Sequence, residues 1–250
     1  MLRVSGLAVG YGGAPVLEGV DLEVRTGEFA SLVGPSGSGK TSILRVVTEL
    51  LQPERGTVDL DIPVSEVGFL FQDDALLPWR TVRQNVALGL RIRHLPPAVV
   101  DEKAERWLTL LGLGGYGDRY PGQLSGGQRK RVAIAQVLAL EPKLLLMDEP
   151  FASLDAIVRM RITQELLDWV EREHLTVLLV THDLEEAISV SDVVYVLGQG
   201  PRATIHARYP VEIPRPRHVI EARRHPAVGP LLRRLWEDLS DAPSPDHAPP

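Results

Sequence analysis

The chain has 250 residues, and 27 Lys and Arg against 33 Asp and Glu give a formal net charge of −6. That acidity disfavours a general nucleic-acid coat or direct docking on anionic lipid, both of which need a surplus of cations. With no cysteine, disulfides, thiolate metal sites and a cysteine nucleophile are excluded.

The opening MLRVSGLAVGYGG has no continuous apolar stretch and does not read as a secretory signal. From Leu2 to Val24, the alternation in LRVSGLAV and VDLEV predicts antiparallel strands turning at Gly12 and Gly13. Glu28 to Val33 is an apolar run of strand length that enters a Gly/Ser loop. Ser42 to Leu51 is then expected as a helix ended by Pro53. Thr57 to Leu60 and Val67 to Phe71 read as strands.

Between about Thr81 and Leu140 the apolar spacing turns helical, at Val82, Val86, Leu88 and Leu90, then Trp107, Leu108 and Leu111. Strand-like runs return at Leu144 to Met147, Thr176 to Val180 and Val193 to Leu197, with helical segments between the first two. This alternation predicts a mainly parallel sheet covered on both faces. None of these runs approaches the ~18 apolar residues of a membrane span. Residues 208–225, rich in Pro, Arg and His, read as an extended connection. Leu231, Leu232, Leu235, Trp236 and Leu239 then share one face of a short helix. Trp107, Trp169 and Trp236 are all expected in the core. The tail DAPSPDHAPP, residues 241–250, is expected to be disordered.

Gly34-Pro35-Ser36-Gly37-Ser38-Gly39-Lys40-Thr41 fits G-x-x-x-x-G-K-[ST], placed between a predicted strand and a predicted helix. Such a loop aims backbone N–H groups at phosphate oxygens, and the helix that follows adds its positive dipole end. Lys40 is expected at the β- and γ-phosphates, and Thr41 on Mg²⁺. Leu144 to Pro150 is an apolar strand ending in two carboxylates. Asp148 is assigned to the metal, and Glu149 to polarising an attacking water. Leu124-Ser125-Gly126-Gly127-Gln128 precedes a helical run and forms a second anion nest. A two-fold dimer, each chain closing this nest on the other's nucleotide, would use both.

With these residues in order, the chain resembles the ATP-binding cassette (ABC) ATPases over about residues 2–200. The resemblance implies an α/β fold: a P-loop NTPase core with a mainly parallel sheet, an N-terminal antiparallel β subdomain and a helical subdomain bearing the signature. By resemblance, Tyr11 stacks on adenine and Gln72 contacts Mg²⁺ and the attacking water. Ser125, Gly126, Gly127 and Gln128 meet the γ-phosphate across the dimer. Ser153-Leu154-Asp155 links the two sites, His182 is the switch histidine, and Ser42 extends the phosphate loop. The implied division is a nucleotide-binding domain at 1–207, with its helical subdomain at about 80–140, an extension at 208–240 and the tail at 241–250.

Phe71 to Trp79, then Thr81-Val82 and Asn85-Val86, are similar to importers for nitrate, sulfonates, taurine and related small solutes. So is Val211 to Arg217. Gln128, where many members have Met, and Gln136, where an Arg is usual, depart from that group. The implied cofactors are ATP and Mg²⁺. The implied partners are integral-membrane permease subunits, contacted beside Gln72 through Leu76, Leu77, Pro78 and Trp79, a periplasmic or extracellular solute-binding protein, and a second copy of the chain. No nucleic acid is expected, and the place of work is the cytoplasmic face of the membrane, held peripherally. The alternatives are an exporter ATPase and a DNA-repair or ribosome-associated ATPase. With only residues 73–123 between Gln72 and the signature, and no sustained heptads there, the coiled coil of the DNA-repair class is missing.

Overall fold

A computed structural model of the chain describes residues 1–152 and 154–241. Strands β1 (Leu2–Tyr11) and β2 (Ala14–Val24) form the expected hairpin. Strand β3 (Phe29–Val33) leads through the phosphate loop into helix α1 (Lys40–Val47). Strands β4 (Arg55–Leu60) and β5 (Val67–Leu70) follow. Helices α2 (Val82–Ile92), α3 (Pro97–Leu110) and α4 (Gly126–Leu138) make up the helical region. Strand β6 (Leu144–Asp148), helix α5 (Ala156–Arg172), strand β7 (Thr176–Thr181), helix α6 (Leu184–Val190) and strand β8 (Val193–Leu197) complete the alternation. Strand β9 (Ile205–Pro210) and helices α7 (Val219–Arg224) and α8 (Val228–Asp241) end the described chain.

Two sheets result: a three-stranded antiparallel sheet, order β2-β1-β4, and a six-stranded sheet, order β5-β6-β7-β3-β8-β9. The larger sheet is parallel from β5 to β8, and β9 runs antiparallel on the edge. Both faces of its central strands are covered, which is why β3, β6, β7 and β8 read as unbroken apolar runs. In β6, Leu145 and Met147 pack with Trp107, Val132 and Ile134 from α3 and α4. Leu144 and Leu146 face the other way, toward Ile43 and Leu44 of α1 and the antiparallel sheet. Trp107 meets Trp169 edge-on at 5.2 Å between ring centroids.

Four expectations are corrected. Helix α1 starts at Lys40 rather than Ser42, and Pro53 does not end it. The chain leaves the helix at Thr48, whose hydroxyl turns back to the Leu44 carbonyl at 3.0 Å. Residues 208–225 are not a plain connection, since they hold the end of β9 and all of α7. They are held down by Arg217, a buried guanidinium that pairs with Asp192 at 2.9 Å and donates to the carbonyls of Ile213 and Val190. Trp236 is 60% exposed, whereas Leu235 is fully buried and Leu231, Leu232 and Leu239 pack beside it. One residue is about 100° of helix, so a stripe centred on Leu235 leaves Trp236 outside it. Asp241 closes α8, and the remainder of the tail expected to be disordered, 242–250, lies outside the described residues. No described helix is long and apolar enough to cross a membrane.

Candidate active site

Four neighbouring parallel strands, β5, β6, β7 and β3, end on one edge, with Leu70 level with Met147, Asp148 with Val180, and Val33 with Thr181. The residues that follow these tips are Gln72, Glu149, His182 and Gly34. In α/β sheets the crevice beyond the carboxyl ends of the strands is where ligands bind.

The phosphate loop is shaped by glycine at two points. A Cβ on Gly34 would sit 2.7 Å from the Leu197 carbonyl oxygen, so no side chain fits there. Gly39 has φ +98 at the start of α1, a conformation other residues rarely adopt. The hydroxyl of Ser38 is buried with no hydrogen-bond partner, an orphan donor that an anion in the loop would satisfy. Lys40 is buried, and its ammonium donates to the Gly34 and Pro35 carbonyls at 2.9 and 2.8 Å. Burial holds its pKa below the ordinary lysine value, against the pull of Glu149 and Asp148.

Asp148 ends β6 and accepts from the Thr41 hydroxyl at 3.1 Å. Burial raises its pKa, the Thr41 bond lowers it, neighbouring Glu149 raises it, and Lys40 and Arg45 lower it. A divalent cation would relieve that burial penalty. Thr41 and Asp148 offer hard oxygen donors, and among the described residues no group of three or more His, Cys, Asp or Glu gathers around a point. An ion here would take one or two protein oxygens and the rest from phosphate and water, which suits Mg²⁺.

Glu149 has φ +41, in the left-handed region. The strain, on the order of 1–3 kcal/mol, is the kind retained at functional positions. Its N–H donates to the Val180 carbonyl at 2.8 Å, and its carboxylate lies 3.1 Å from Nδ1 of His182. His182 is held by its surroundings. The Thr181 hydroxyl before it donates to buried Glu186 at 2.7 Å, and Asp183 after it caps α6.

At the first turn of α1, the phenol of Tyr11 is 3.0 Å from the Ser42 hydroxyl, and the ring is 44% exposed. The Ser125-to-Gln128 motif opens α4. Ser125 accepts from the Gln128 N–H at 3.3 Å while Gln128 Oε1 accepts from the Ser125 N–H at 2.9 Å, a complete capping box. Gly126 and Gly127 form its first turn. Asp155 caps α5 through the Val158 N–H; Ser153, in the same expected linking loop, lies outside the described residues. The structure therefore joins the phosphate loop to Asp148, Glu149 to His182, and Tyr11 to Ser42. Among the described hydrogen bonds and ion pairs, none joins Ser125–Gln128 or Asp155 to the phosphate loop.

Two residues in the same neighbourhood were not assigned a role in the sequence. Lys130 in α4 donates to the Gln72 carbonyl at 3.0 Å. Asn85 in α2, noted only as part of a motif, organises the Leu77–Thr81 turn through its side chain. Of the Leu76-Leu77-Pro78-Trp79 run, Leu76 is packed against the core, Leu77 is half-buried, and Trp79 is 70% exposed. The groove nearby is lined instead by Phe69, Phe71, Leu88, Ile92 and Leu140, between edge strand β5 and helices α2 and α4. It encloses about 300 Å³.

A family model described as ABC transporter matches residues 17–152. The chain is similar to the sulfate/thiosulfate import ATP-binding protein CysA of Synechocystis sp., 43% identical over 205 residues, covering 79% of this chain and 58% of that protein. It is also similar to the aliphatic sulfonates import ATP-binding protein SsuB 2 of Agrobacterium fabrum, 45% identical over 205 residues, covering 80% of this chain and 76% of that one. A solved dimeric ATP-binding cassette, in a post-hydrolysis state bound to ADP and Pi, aligns with a TM-score of 0.74 at 29% identity. The alignment covers 85% of this chain and 100% of that one.

Proposed function

Because the chain belongs to the ABC transporter family, we propose that it hydrolyses ATP as the energy-coupling subunit of an importer for a small solute. The solute class is that of sulfonates, taurine or nitrate, and the import names of the relatives at 43% and 45% identity support this direction of transport. One observation carries the ATPase reading: the Glu149–His182 contact of 3.1 Å, on the same sheet edge as Lys40, Thr41 and Asp148.

In this reading the N–H groups of Gly34, Ser36, Gly37, Ser38, Gly39 and Lys40 cradle the phosphates, Pro35, which has no N–H to give, shapes the loop between them, Ser38 gains its missing partner, and Lys40 moves from the loop carbonyls to the β- and γ-phosphates. Ser42 extends the cradle, and Tyr11 carries the adenine. Thr41, Asp148 and Gln72 would hold Mg²⁺, which when bound neutralises phosphate charge. Glu149 takes the proton of the attacking water, and His182 orients Glu149 and senses the γ-phosphate. Ser125, Gly126, Gly127 and Gln128 of a second copy close over that phosphate, and Asp155 lies where the two copies meet. Closure and reopening of the dimer pass to permease subunits through the groove beside β5 and through the exposed Trp79 on the loop after it. A solute-binding protein outside the membrane completes the complex, and this chain stays peripheral on the cytoplasmic face. The nucleotide-binding unit is taken as 1–207, with the helical subdomain at about 80–140 and an extension from 208.

Glu149→Gln tests the chemistry. It is expected to keep ATP binding and lose on the order of 10² to 10⁴ in turnover, the usual weight of a general base. Tagged Glu149→Gln protein, captured from detergent-solubilised membranes with ATP, is expected to bring down a multi-span membrane protein. Recovery of only soluble proteins, ribosomes or nucleic acid overturns the transport reading and leaves the ATPase reading standing.

A further inference from the structure

Lys130 is 0% exposed, a rare condition for a lysine. Its ammonium has three protons to donate, and three acceptors surround it: Asp74 Oδ1 at 3.1 Å, the Gln72 carbonyl at 3.0 Å and the Phe71 carbonyl at 3.5 Å. All of them lie on the loop that leaves β5. The preceding residue, Arg129, reaches the other oxygen of Asp74 at 3.5 Å and donates to the Leu124 carbonyl at 2.8 Å. One carboxylate is thus gripped by two consecutive residues of the helix that Ser125 opens. An apolar side chain would fill a buried site of this kind at lower desolvation cost. What the charge adds is geometry, because it fixes where the backbone of Gln72 stands relative to the Ser125–Gln128 turn.

We propose that Lys130 is a positioning residue: it ties the Gln72 loop to helix α4, so that Gln72 is presented to the reaction only in register with the signature turn. The proposal rests on the ATPase reading above. It adds a mechanical link between two motifs that are 52 positions apart in the chain, as 124 − 72 gives, and it places no new group in contact with substrate.

The test combines Lys130→Met with Gln72→Ala and the double variant. Lys130→Met is expected to lower kcat roughly tenfold or more with KM for ATP unchanged within about twofold, and to add nothing in the Gln72→Ala background, since groups acting as a unit are non-additive. Backbone amides of residues 72–76 are expected to exchange hydrogen roughly tenfold faster while those of α4 keep their protection. Asp74→Asn, at a partly exposed position, loosens the same tie from the other side and stands in should Lys130→Met fail to fold. A kcat within about twofold of wild type, a loss that multiplies with that of Gln72→Ala, or unchanged exchange across 72–76 overturns the proposal. Wild-type protein that fails to hydrolyse ATP while the exchange response is present overturns the ATPase reading instead. The exchange arm measures the tie without turnover.

Discussion

Replacing Asn85 by alanine removes the side chain that holds the Leu77–Thr81 turn. Asn85 is fully buried; its Oδ1 accepts from the Leu77 N–H at 2.8 Å, and its Nδ2 donates to the carbonyls of Leu77, Arg80 and Thr81 at 3.1, 3.1 and 3.0 Å. In the variant the Leu77 carbonyl keeps the Arg80 N–H and the Thr81 carbonyl keeps the Asn85 N–H. The Leu77 N–H and the Arg80 carbonyl retain no partner among the described hydrogen bonds. Each such group costs about 1–3 kcal/mol when fully buried. The turn is only half-buried, so the low end applies, about 1 kcal/mol apiece. Loss of side-chain packing adds about 1 kcal/mol, for a sum of about 3 kcal/mol. Urea unfolding followed by tryptophan emission reads the global share. Trypsin cleavage after Arg80 reads local opening of the turn, with about 1.4 kcal/mol for each tenfold in rate. Asn85→Asp supplies the control. It keeps the acceptor for Leu77 but turns an anion toward three carbonyls, so it should cost more than alanine at neutral pH and recover as the pH falls. A combined effect of Asn85→Ala below about 0.5 kcal/mol, with cleavage at Arg80 unchanged, would show that the turn does not depend on this side chain.

His182→Ala should slow hydrolysis without preventing ATP-driven dimer closure, because His182 pairs with Glu149 and no described hydrogen bond or ion pair joins it to the phosphate loop; equilibrium nucleotide binding and light scattering check this, and complete loss of ATP binding would make His182 structural. Glu186 supplies a pH prediction. Its carboxyl is held above the ordinary glutamate value, first by burial and then by Asp183, against the Thr181 hydroxyl, Arg159 and Arg223. A folded value above the unfolded one gives stability that is fully present below the unfolded value and lost as pH rises through the folded one. Wild-type Tm should therefore decline relative to Glu186→Gln as pH rises from about 4.3, the unfolded glutamate value, toward neutrality. Parallel Tm curves for the two proteins across that range would refute the assignment.

What was legible in the sequence is what short-range chemistry controls. The phosphate loop is eight contiguous residues whose glycines dictate its curl, so Gly34 to Thr41 could be read without a fold. The apolar runs at Leu144 and Thr176 could be read as strands because a sheet covered on both faces demands them. The Ser125–Gln128 cap is likewise local. Contacts across the chain were decided only by tertiary structure. Glu149 and His182 stand 33 positions apart, as 182 − 149 gives, and they meet because β6 lies beside β7 with Asp148 level with Val180. The burial of Lys130 was illegible, since Arg129-Lys130-Arg131 looks like a solvated helix face until the loop after β5 folds over it. The same limit exposed Trp236 and turned the Arg-rich segment before α7 into an anchored one. An apolar or basic side chain is assigned to core or surface by its helical phase and by its partner, Asp74 for Lys130 and Asp192 for Arg217, and a partner distant in sequence is chosen by the packing of the whole chain.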